Sequence, residues 1–336
     1  MSDSSYNNSP NTLHDKPSHV ARVAIVGTGL VGATTAYALL ISGTVAEIVL
    51  IDKDKRRAKG HANDLRDAAP FSHNAKVFAG DFSDCCDADV TIITAGVSPS
   101  ADMKSRLDNL QESASMLKDI IGEITCHNPR ILLVASNPVD VLTYAVWRWS
   151  GLPAGRVIGS GTSLDTSRFR RRLGELYGVA PDNIHAYIIG EHGDSQVAVL
   201  SSARIAGMPV EDFCREFACD ETTLKTIVND TRTAGLEITQ AKGAPHYGVG
   251  AALVRIVGAI LRNEHAVLTV SSLAPESMQL GEVSLSLPAI INRDGVARVL
   301  PVSLDAAERK ALEASAEILK RYIAMLDGSK ATSRTT

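Results

Sequence analysis

The feature that most constrains the fold is a regular alternation of short β-branched runs with helical patterns in the first half of the chain. The strand-like segments lie at 23–27, 47–52, 76–80, 89–96, 130–136 and 156–160. Strands that alternate with helices favour right-handed crossovers and a parallel sheet that helices cover on both faces. The sequence therefore predicts a doubly wound α/β domain over residues 20–161.

After about residue 162 the pattern changes to longer helical segments and two β-rich stretches. The Asp-Gly dipeptide at 294–295 lies between apolar runs and predicts a β-hairpin. A closing helix is predicted over 305–325, because Asp305 and Glu308 have the spacing of a capping box. These patterns predict a C-terminal α+β substrate domain over 162–327, with flexible polar tails at 1–19 and 328–336.

Composition excludes several classes of partner. Lys and Arg number 34 against 38 Asp and Glu, so the net charge of −4 provides no basic field for nucleic acid or an anionic membrane. Five cysteines without a C-x-x-C pair favour neither a disulfide framework nor a cysteine zinc site. The start of the chain lacks the apolar core of a signal peptide. We therefore expect a cytoplasmic protein that binds no metal, nucleic acid or membrane.

The glycines Gly27, Gly29 and Gly32 form a G-x-G-x-x-G motif, which is by itself a loose signal. Here it follows an apolar strand and opens a helix, and Asp52 ends the next strand. Such glycines let a pyrophosphate approach a helix N-terminus, and the acidic side chain accepts hydrogen bonds from the adenosine ribose. The pattern predicts a Rossmann domain that prefers NAD to NADP. Four following cations leave a weaker discrimination open: Lys53, Lys55, Arg56 and Arg57.

A second candidate site is the segment Gly190–Ser195, which reads GEHGDS. Its histidine, His192, follows an apolar strand between glycines and is suited to exchange a proton near neutral pH. Such a histidine needs a carboxylate to hold its tautomer, and Asp165 is the candidate. The alternative is a loop histidine and a helix-capping aspartate without a chemical role.

Several separated motifs together resemble the L-lactate and malate dehydrogenase family, and most closely the bacterial-type L-lactate dehydrogenases. They are GTGLVG, VLIDKDKRRAKGHANDLRDAAPF, TAG at 94–96, SNPVD at 136–140, GSGTSLDTSRFR and YIIGEHGDS. The resemblance covers roughly residues 20–325. It implies an NAD-dependent enzyme that reversibly reduces a 2-oxo acid to an L-2-hydroxy acid, most simply pyruvate to L-lactate.

The resemblance also implies residue roles. His192 would exchange the proton at the substrate oxygen with Asp165 as its partner, and Arg168 would bind the substrate carboxylate. Arg106 would polarise the substrate carbonyl, and Asn137 would contact both nicotinamide and substrate. The implied cofactor contacts are Gly27, Gly29, Val31, Gly32, Asp52, Arg57, Gly96, Val97, Asn137 and Ser160.

The chain departs from the family pattern at two substrate-facing positions. The loop before Arg106, which includes Ser100, looks one residue longer and holds no second arginine for oxaloacetate. Pro245 stands where the family has threonine, which makes that wall less polar. Pyruvate remains the expected substrate. The alternatives are a larger apolar 2-oxo acid, malate dehydrogenase activity, and an NAD-binding protein without activity.

Arg170 and His185 match family positions that bind fructose 1,6-bisphosphate across a subunit interface. Arginine and protonated histidine suit phosphate, and Arg171 and Arg172 would add positive potential. An exposed basic helix face is the alternative interpretation. The resemblance further implies a homotetramer that takes part in glycolysis.

Overall fold

The computed structural model describes residues 20–97, 106–216 and 221–328. The strands of the N-terminal half are β1 (Arg22–Val26), β2 (Glu47–Ile51), β3 (Lys76–Ala79), β4 (Val90–Ile93), β5 (Leu132–Val134) and β6 (Val157–Gly159). The longer helices between them are α1 (Leu30–Ser42), α2 (Lys55–Ala68), α3 (Arg106–Thr125) and α4 (Val139–Ser150). Each predicted strand and helix of this half is therefore confirmed. The predicted tails lie outside the described residues, except that Gly328 ends the last helix.

These six strands run parallel in the order β3-β2-β1-β4-β5-β6. Side chains alternate along β1: Val23 and Ile25 pack into one apolar cluster, and Ala24 and Val26 into another on the opposite face. Strands that are buried on both faces read as continuous apolar runs, which is the pattern in the sequence. The strand order reverses between β1 and β4, where such sheets bind ligands at their carboxyl ends.

The C-terminal half contains α5 (Ser163–Tyr177), β7 (Ile184–Ile189), β8 (Val197–Ile205), β9 (Met208–Pro209), α6 (Val210–Glu216), α7 (Glu221–Lys242), α8 (Tyr247–Leu261), β10 (Ala266–Leu273), β11 (Ser284–Asn292), β12 (Gly295–Val299) and α9 (Ala306–Gly328). Strands β7, β8 and β9 form a small antiparallel sheet. Among the helices of the described ranges, none is both long and apolar enough to cross a membrane.

The other three strands of this half extend the parallel sheet. β10 pairs antiparallel with β6 through Ser271 and Gly159, so the described residues form one mixed sheet of nine strands. This pairing covers an edge of β6 that would otherwise expose unpaired backbone groups. The sequence predicted an α+β half but not this shared sheet. The boundaries 20–161 and 162–327 stay a prediction.

The predicted hairpin forms, but its turn lies one residue earlier than the Asp-Gly dipeptide suggested. Asn292 pairs with Gly295, so the two central residues are Arg293 and Asp294. Gly295 has a φ of +99°, and a Cβ there would lie 2.1 Å from the carbonyl oxygen of Gly155. The glycine is therefore required both by its positive φ and by the close backbone approach.

The predicted capping box before α9 is confirmed. The Glu308 amide donates to Asp305 Oδ1 at 2.8 Å, and the Asp305 amide donates to Glu308 Oε2 at 3.0 Å. Glu308 also accepts the backbone amides of Leu200 and Ser201 at 2.8 and 3.0 Å. The Glu308 carboxylate thus caps the N-terminus of α9 and also hydrogen-bonds α9 to β8.

Candidate active site

The glycine-rich turn brings β1 and α1 close to the end of β4. Gly27 has a φ of +97°, and a Cβ there would lie 2.6 Å from the Ala95 nitrogen. A Cβ on Gly32 would lie 2.0 Å from the Gly27 carbonyl oxygen, so both positions require glycine. Gly29 is the N-cap of α1, with no capping side chain and no acidic residue in the first turn. A helix start with uncapped amides suits an anion such as a pyrophosphate.

A cavity of about 690 Å³ opens beside this turn, at the carboxyl ends of β1, β2 and β4. Five of the predicted cofactor residues line it, namely Gly27, Gly29, Asp52, Arg57 and Gly96, while α3 forms the facing wall. A Cβ on Gly29 would meet no atom within 4 Å, so this side of the turn is open to a ligand. The residues present therefore fit the adenosine and pyrophosphate part of NAD.

The other predicted cofactor residues lie along the same edge of the sheet but do not line that cavity. Val31 and Gly32 lie in the first turn of α1, Val97 follows β4, and Ser160 follows β6. The fifth, Asn137, follows β5 and lines a neighbouring cavity of about 260 Å³ together with His192. The two cavities thus lie along the same edge of the sheet, one at the glycine turn and the other at His192.

His192, Asp165 and Arg168 form one hydrogen-bonded cluster at the start of α5, in which the His192 side chain is 29% exposed. His192 Nδ1 lies 2.6 Å from Asp165 Oδ2, and Arg168 Nη1 donates to Asp165 Oδ1 at 2.9 Å. Asp165 and Arg168 are three residues apart and therefore share one face of the helix. Their side chains are only 4% and 12% exposed. The N-cap of α5 is Thr162, so the alternative of Asp165 as a helix cap is not what the structure shows.

Charges in this cluster shift the pKa values of both His192 and Asp165. Burial alone would lower the pKa of His192, but the Asp165 carboxylate outweighs it and raises that pKa above its usual 6.5. Burial would likewise raise the pKa of Asp165, but His192 and Arg168 outweigh it and lower that pKa. With Nδ1 held by a carboxylate, Nε2 is the nitrogen left to meet a ligand.

The loop that carries His192 is anchored from two sides. Gly190, with a φ of +85°, exchanges two backbone hydrogen bonds of 2.9 Å with Ser286 on β11. The His192 amide donates to Asp140 Oδ2 at 2.6 Å. Asp140 lies in the first turn of α4 and is 2% exposed. The loop position of His192 therefore depends on elements that are distant in the sequence.

Asp140 is a site residue that the sequence reasoning missed. Burial raises its pKa to about 6, although the Ser271 hydroxyl and the His192 amide favour the charged form. Asp140 Oδ1 and the Ser271 hydroxyl oxygen are both buried, and neither has a hydrogen-bond partner among the described residues. The available signal was a carboxylate within the motif SNPVD, at the start of an apolar helix.

Two of the predicted substrate contacts, Ser100 and the side chain of Arg106, lie outside the described residues, although the backbone of Arg106 begins α3. Pro245 lies between α7 and α8 and lines neither of the two cavities. The next residue, His246, is instead bonded to Thr34 on α1 at 3.1 Å. Within the described ranges, no group of three or more His, Cys, Asp or Glu side chains is placed to hold a metal ion.

The predicted effector residues lie on two neighbouring elements: Arg170 on α5, and His185 on β7, against which α5 packs. Arg170 Nε donates to the Ala186 carbonyl at 2.9 Å, and its guanidinium lies 5.3 Å from the centre of the Tyr187 ring. Side chains alternate along a strand, so exposed His185 shares the face of Tyr187. The further cations Arg171 and Arg172 are paired with Glu175 and Asp230.

The strand order, the glycine turn and Asp52 define a dinucleotide-binding protein of the doubly wound class. The chain belongs to the lactate/malate dehydrogenase family. Residues 21–159 match the family's NAD binding domain, and residues 162–327 match its alpha/beta C-terminal domain. The chain is thus an NAD-dependent oxidoreductase, and the predictions of family, fold class, enzyme and cofactor are confirmed.

Individual relatives match over most of their length. The chain is 47% identical to a probable L-lactate dehydrogenase of Schizosaccharomyces pombe, over 90% of this chain and 92% of the relative. It is 44% identical to the L-lactate dehydrogenase of Acetivibrio thermocellus, over 92% and 98%. A lactate dehydrogenase from a Medee basin deep-sea metagenome library superposes with a TM-score of 0.89 at 40% identity, over 92% and 99% of the chains.

Proposed function

We propose that the chain interconverts pyruvate and L-lactate with NADH and NAD. The observation that carries the proposal is the hydrogen-bonded cluster of His192, Asp165 and Arg168, whose histidine lines the cavity that also contains Asn137. The relatives that match over most of their length bear the name L-lactate dehydrogenase, which supports pyruvate over the other 2-oxo acids.

In this reaction His192 is the acid and base. NAD(H), when bound, accepts or supplies the hydride at the substrate C2. Nε2 of His192 gives its proton to the carbonyl oxygen during reduction and removes it during oxidation. Asp165 holds Nδ1, so it keeps the proton-exchanging nitrogen directed at the substrate and stabilises the imidazolium.

Arg168 binds the substrate carboxylate. One side of its guanidinium is held by Asp165, which leaves the remaining donors of a rigid planar fork for the ligand. Arg106, at the start of α3, polarises the carbonyl oxygen, and Asn137 contacts substrate and nicotinamide. These last two roles rest on the family resemblance and on position, since Arg106 begins α3 and Asn137 follows β5.

A panel of 2-oxo acids tests the proposal through the absorbance of NADH. We expect pyruvate to have the highest kcat/KM, because the loop before Arg106 holds no second arginine for a second carboxylate. A preference for oxaloacetate would contradict this assignment. A preference for phenylpyruvate or 2-oxobutyrate would instead favour the larger apolar pocket. No turnover despite tight NADH binding would identify a protein that has lost its activity.

The pH dependence follows from the raised pKa of His192. Reduction of pyruvate needs the imidazolium, so its kcat/KM falls as the pH rises through that pKa. Oxidation of L-lactate needs the neutral ring and rises over the same interval. In Asp165→Asn the charge that raises the pKa is lost while burial remains, so we expect both transitions to move to lower pH. Unmoved profiles of kcat/KM in this variant would show that Asp165 does not set the protonation of His192.

Fructose 1,6-bisphosphate is the proposed effector at Arg170 and His185, in a homotetramer. Arg170, on α5, contacts Ala186 and Tyr187, the two residues that follow His185 on β7, and these contacts support the assignment. An effector shifts the equilibrium only when it binds the active quaternary state more tightly. We expect it to lower the apparent KM for pyruvate, and this response to vanish in Arg170→Gln but persist in Arg171→Gln. Identical saturation curves with and without the effector, at protein concentrations above and below that at which the tetramer dissociates, would contradict the proposal.

The proposed location is the cytoplasm, with glycolysis as the supply of pyruvate. Cys85, Cys86 and Cys126 are free thiols within the described ranges. Free thiols persist in reducing compartments, which supports this location.

A further inference from the structure

Asp52, the residue expected to meet the adenosine ribose, is already fully hydrogen-bonded. Its Oδ2 accepts the Thr28 amide at 2.6 Å and the Thr28 hydroxyl at 2.8 Å. Its Oδ1 accepts the Asp54 amide at 2.9 Å, and Arg57 Nη2 lies 2.8 and 2.9 Å from the two oxygens. A carboxylate offers about four lone-pair sites. No acceptor site is left for a ribose hydroxyl.

Arg57 is the only one of these partners that can leave without unfolding the turn. Thr28 is buried, at 1% exposure, and the Asp54 contact is to backbone. The Arg57 side chain is 46% exposed, whereas that of Asp52 is 2% exposed. The Arg57 backbone stays fixed because its amide donates to the capping side chain of Asp54 at 3.1 Å. A ligand that reaches Asp52 must therefore displace the guanidinium and nothing else.

The cavity around the pair carries side chains of both charges. Lys53 and Lys55 line the same cavity as Arg57 and Asp52. Acidic side chains also reach the cavity from the opposite wall on α3, namely Glu112, Asp119 and Glu123. Those three are unchanged in every variant compared below, so their effect cancels from the comparison.

We propose that Arg57 sets how well this chain tolerates a phosphate on the adenosine 2′ oxygen, by moving from Asp52 to that phosphate. For NADH, displacing the guanidinium costs an ion pair that two ribose hydroxyls replace only in part. For NADPH, the guanidinium gains the phosphate as a partner when its contact with Asp52 weakens. Its five donors are enough to contact the phosphate and Asp52 at the same time. The preference for NADH is thus smaller than Asp52 alone would impose. The inference rests on the NAD site and not on which 2-oxo acid is reduced.

Equilibrium binding by titration calorimetry tests this without turnover. The full chain, Arg57→Gln and Arg56→Gln are titrated with NADH and NADPH, and with AMP and its 2′-phosphorylated counterpart, adenosine 2′,5′-bisphosphate. Arg56 carries the same charge one residue away, and its amide is also held by Asp54, but it does not line the cavity. We expect Arg57→Gln to raise the Kd ratio of NADPH to NADH by roughly 10- to 100-fold, the value of a charge-assisted hydrogen bond. Arg56→Gln should leave the ratio as it is.

The fragment pair should show the same change, because it differs only at the 2′ position. Arg57→Lys, which keeps the charge but not the planar fork, should raise the ratio by less. An unchanged ratio in Arg57→Gln, or an equal rise in Arg56→Gln, would overturn the assignment. Failure of the unmodified chain to bind NADH would instead contradict the dinucleotide function itself.

Discussion

Replacing His192 with glutamine should lower kcat for pyruvate reduction by about 10²–10⁴ or more, the contribution of a positioned acid-base group. Glutamine keeps the approximate size and a hydrogen-bond donor for Asp165 but cannot transfer the proton. The backbone bond from residue 192 to Asp140 is unaffected, so the loop should keep its position. NADH binding, measured by titration calorimetry, should also be retained, because the dinucleotide cavity does not include this residue.

His127→Gln is the matched control. His127 lies just beyond the C-terminal end of helix α3 and lines neither of the two cavities. Its kcat should equal that of the unmodified chain. Near-normal turnover in His192→Gln, or an equal loss in the control, would refute the role of His192.

Arg168→Lys should lower kcat/KM for pyruvate by about 10²-fold, mainly through a higher KM. Arg168 is 12% exposed and already gives one nitrogen to Asp165. Lysine keeps the positive charge but presents one point donor group, so it cannot serve both Asp165 and a substrate carboxylate in plane. Losing one arm of a buried, hydrogen-bonded charge pair costs about 2–5 kcal/mol, and the retained charge places this variant at the lower end.

Arg171→Lys is the control for that change. Arg171 is on the same helix and forms an exposed ion pair with Glu175, so the same substitution there should leave both kinetic constants unchanged. A normal KM in Arg168→Lys would show that the substrate carboxylate binds elsewhere. A loss in kcat alone, with KM unchanged, would assign Arg168 to the orientation of Asp165 rather than to substrate binding.

Local features of this site were predictable because they depend on neighbours in the sequence. Gly27 and Gly32 follow from the sharp strand-to-helix turn, and Asp52 follows from the end of the next strand. The capping box of Asp305 and Glu308 needs only a three-residue spacing. The roles of His192 and Arg168 came from the family resemblance, since spacing alone left open a loop histidine without a chemical role.

The sequence by itself determined which segments become strands and helices and which of them carry glycine turns, because hydrophobic periodicity and backbone sterics act over a few residues. Tertiary structure alone decided three other features: the antiparallel pairing of β10 with β6, the hydrogen bond from the His192 amide to Asp140, and the ion pair of Arg57 with Asp52. Asp140 and His192 are 52 positions apart, and no periodic pattern links them. Such contacts are set by which edges and buried polar groups need partners after the chain has packed, and that need is not visible until the fold is complete.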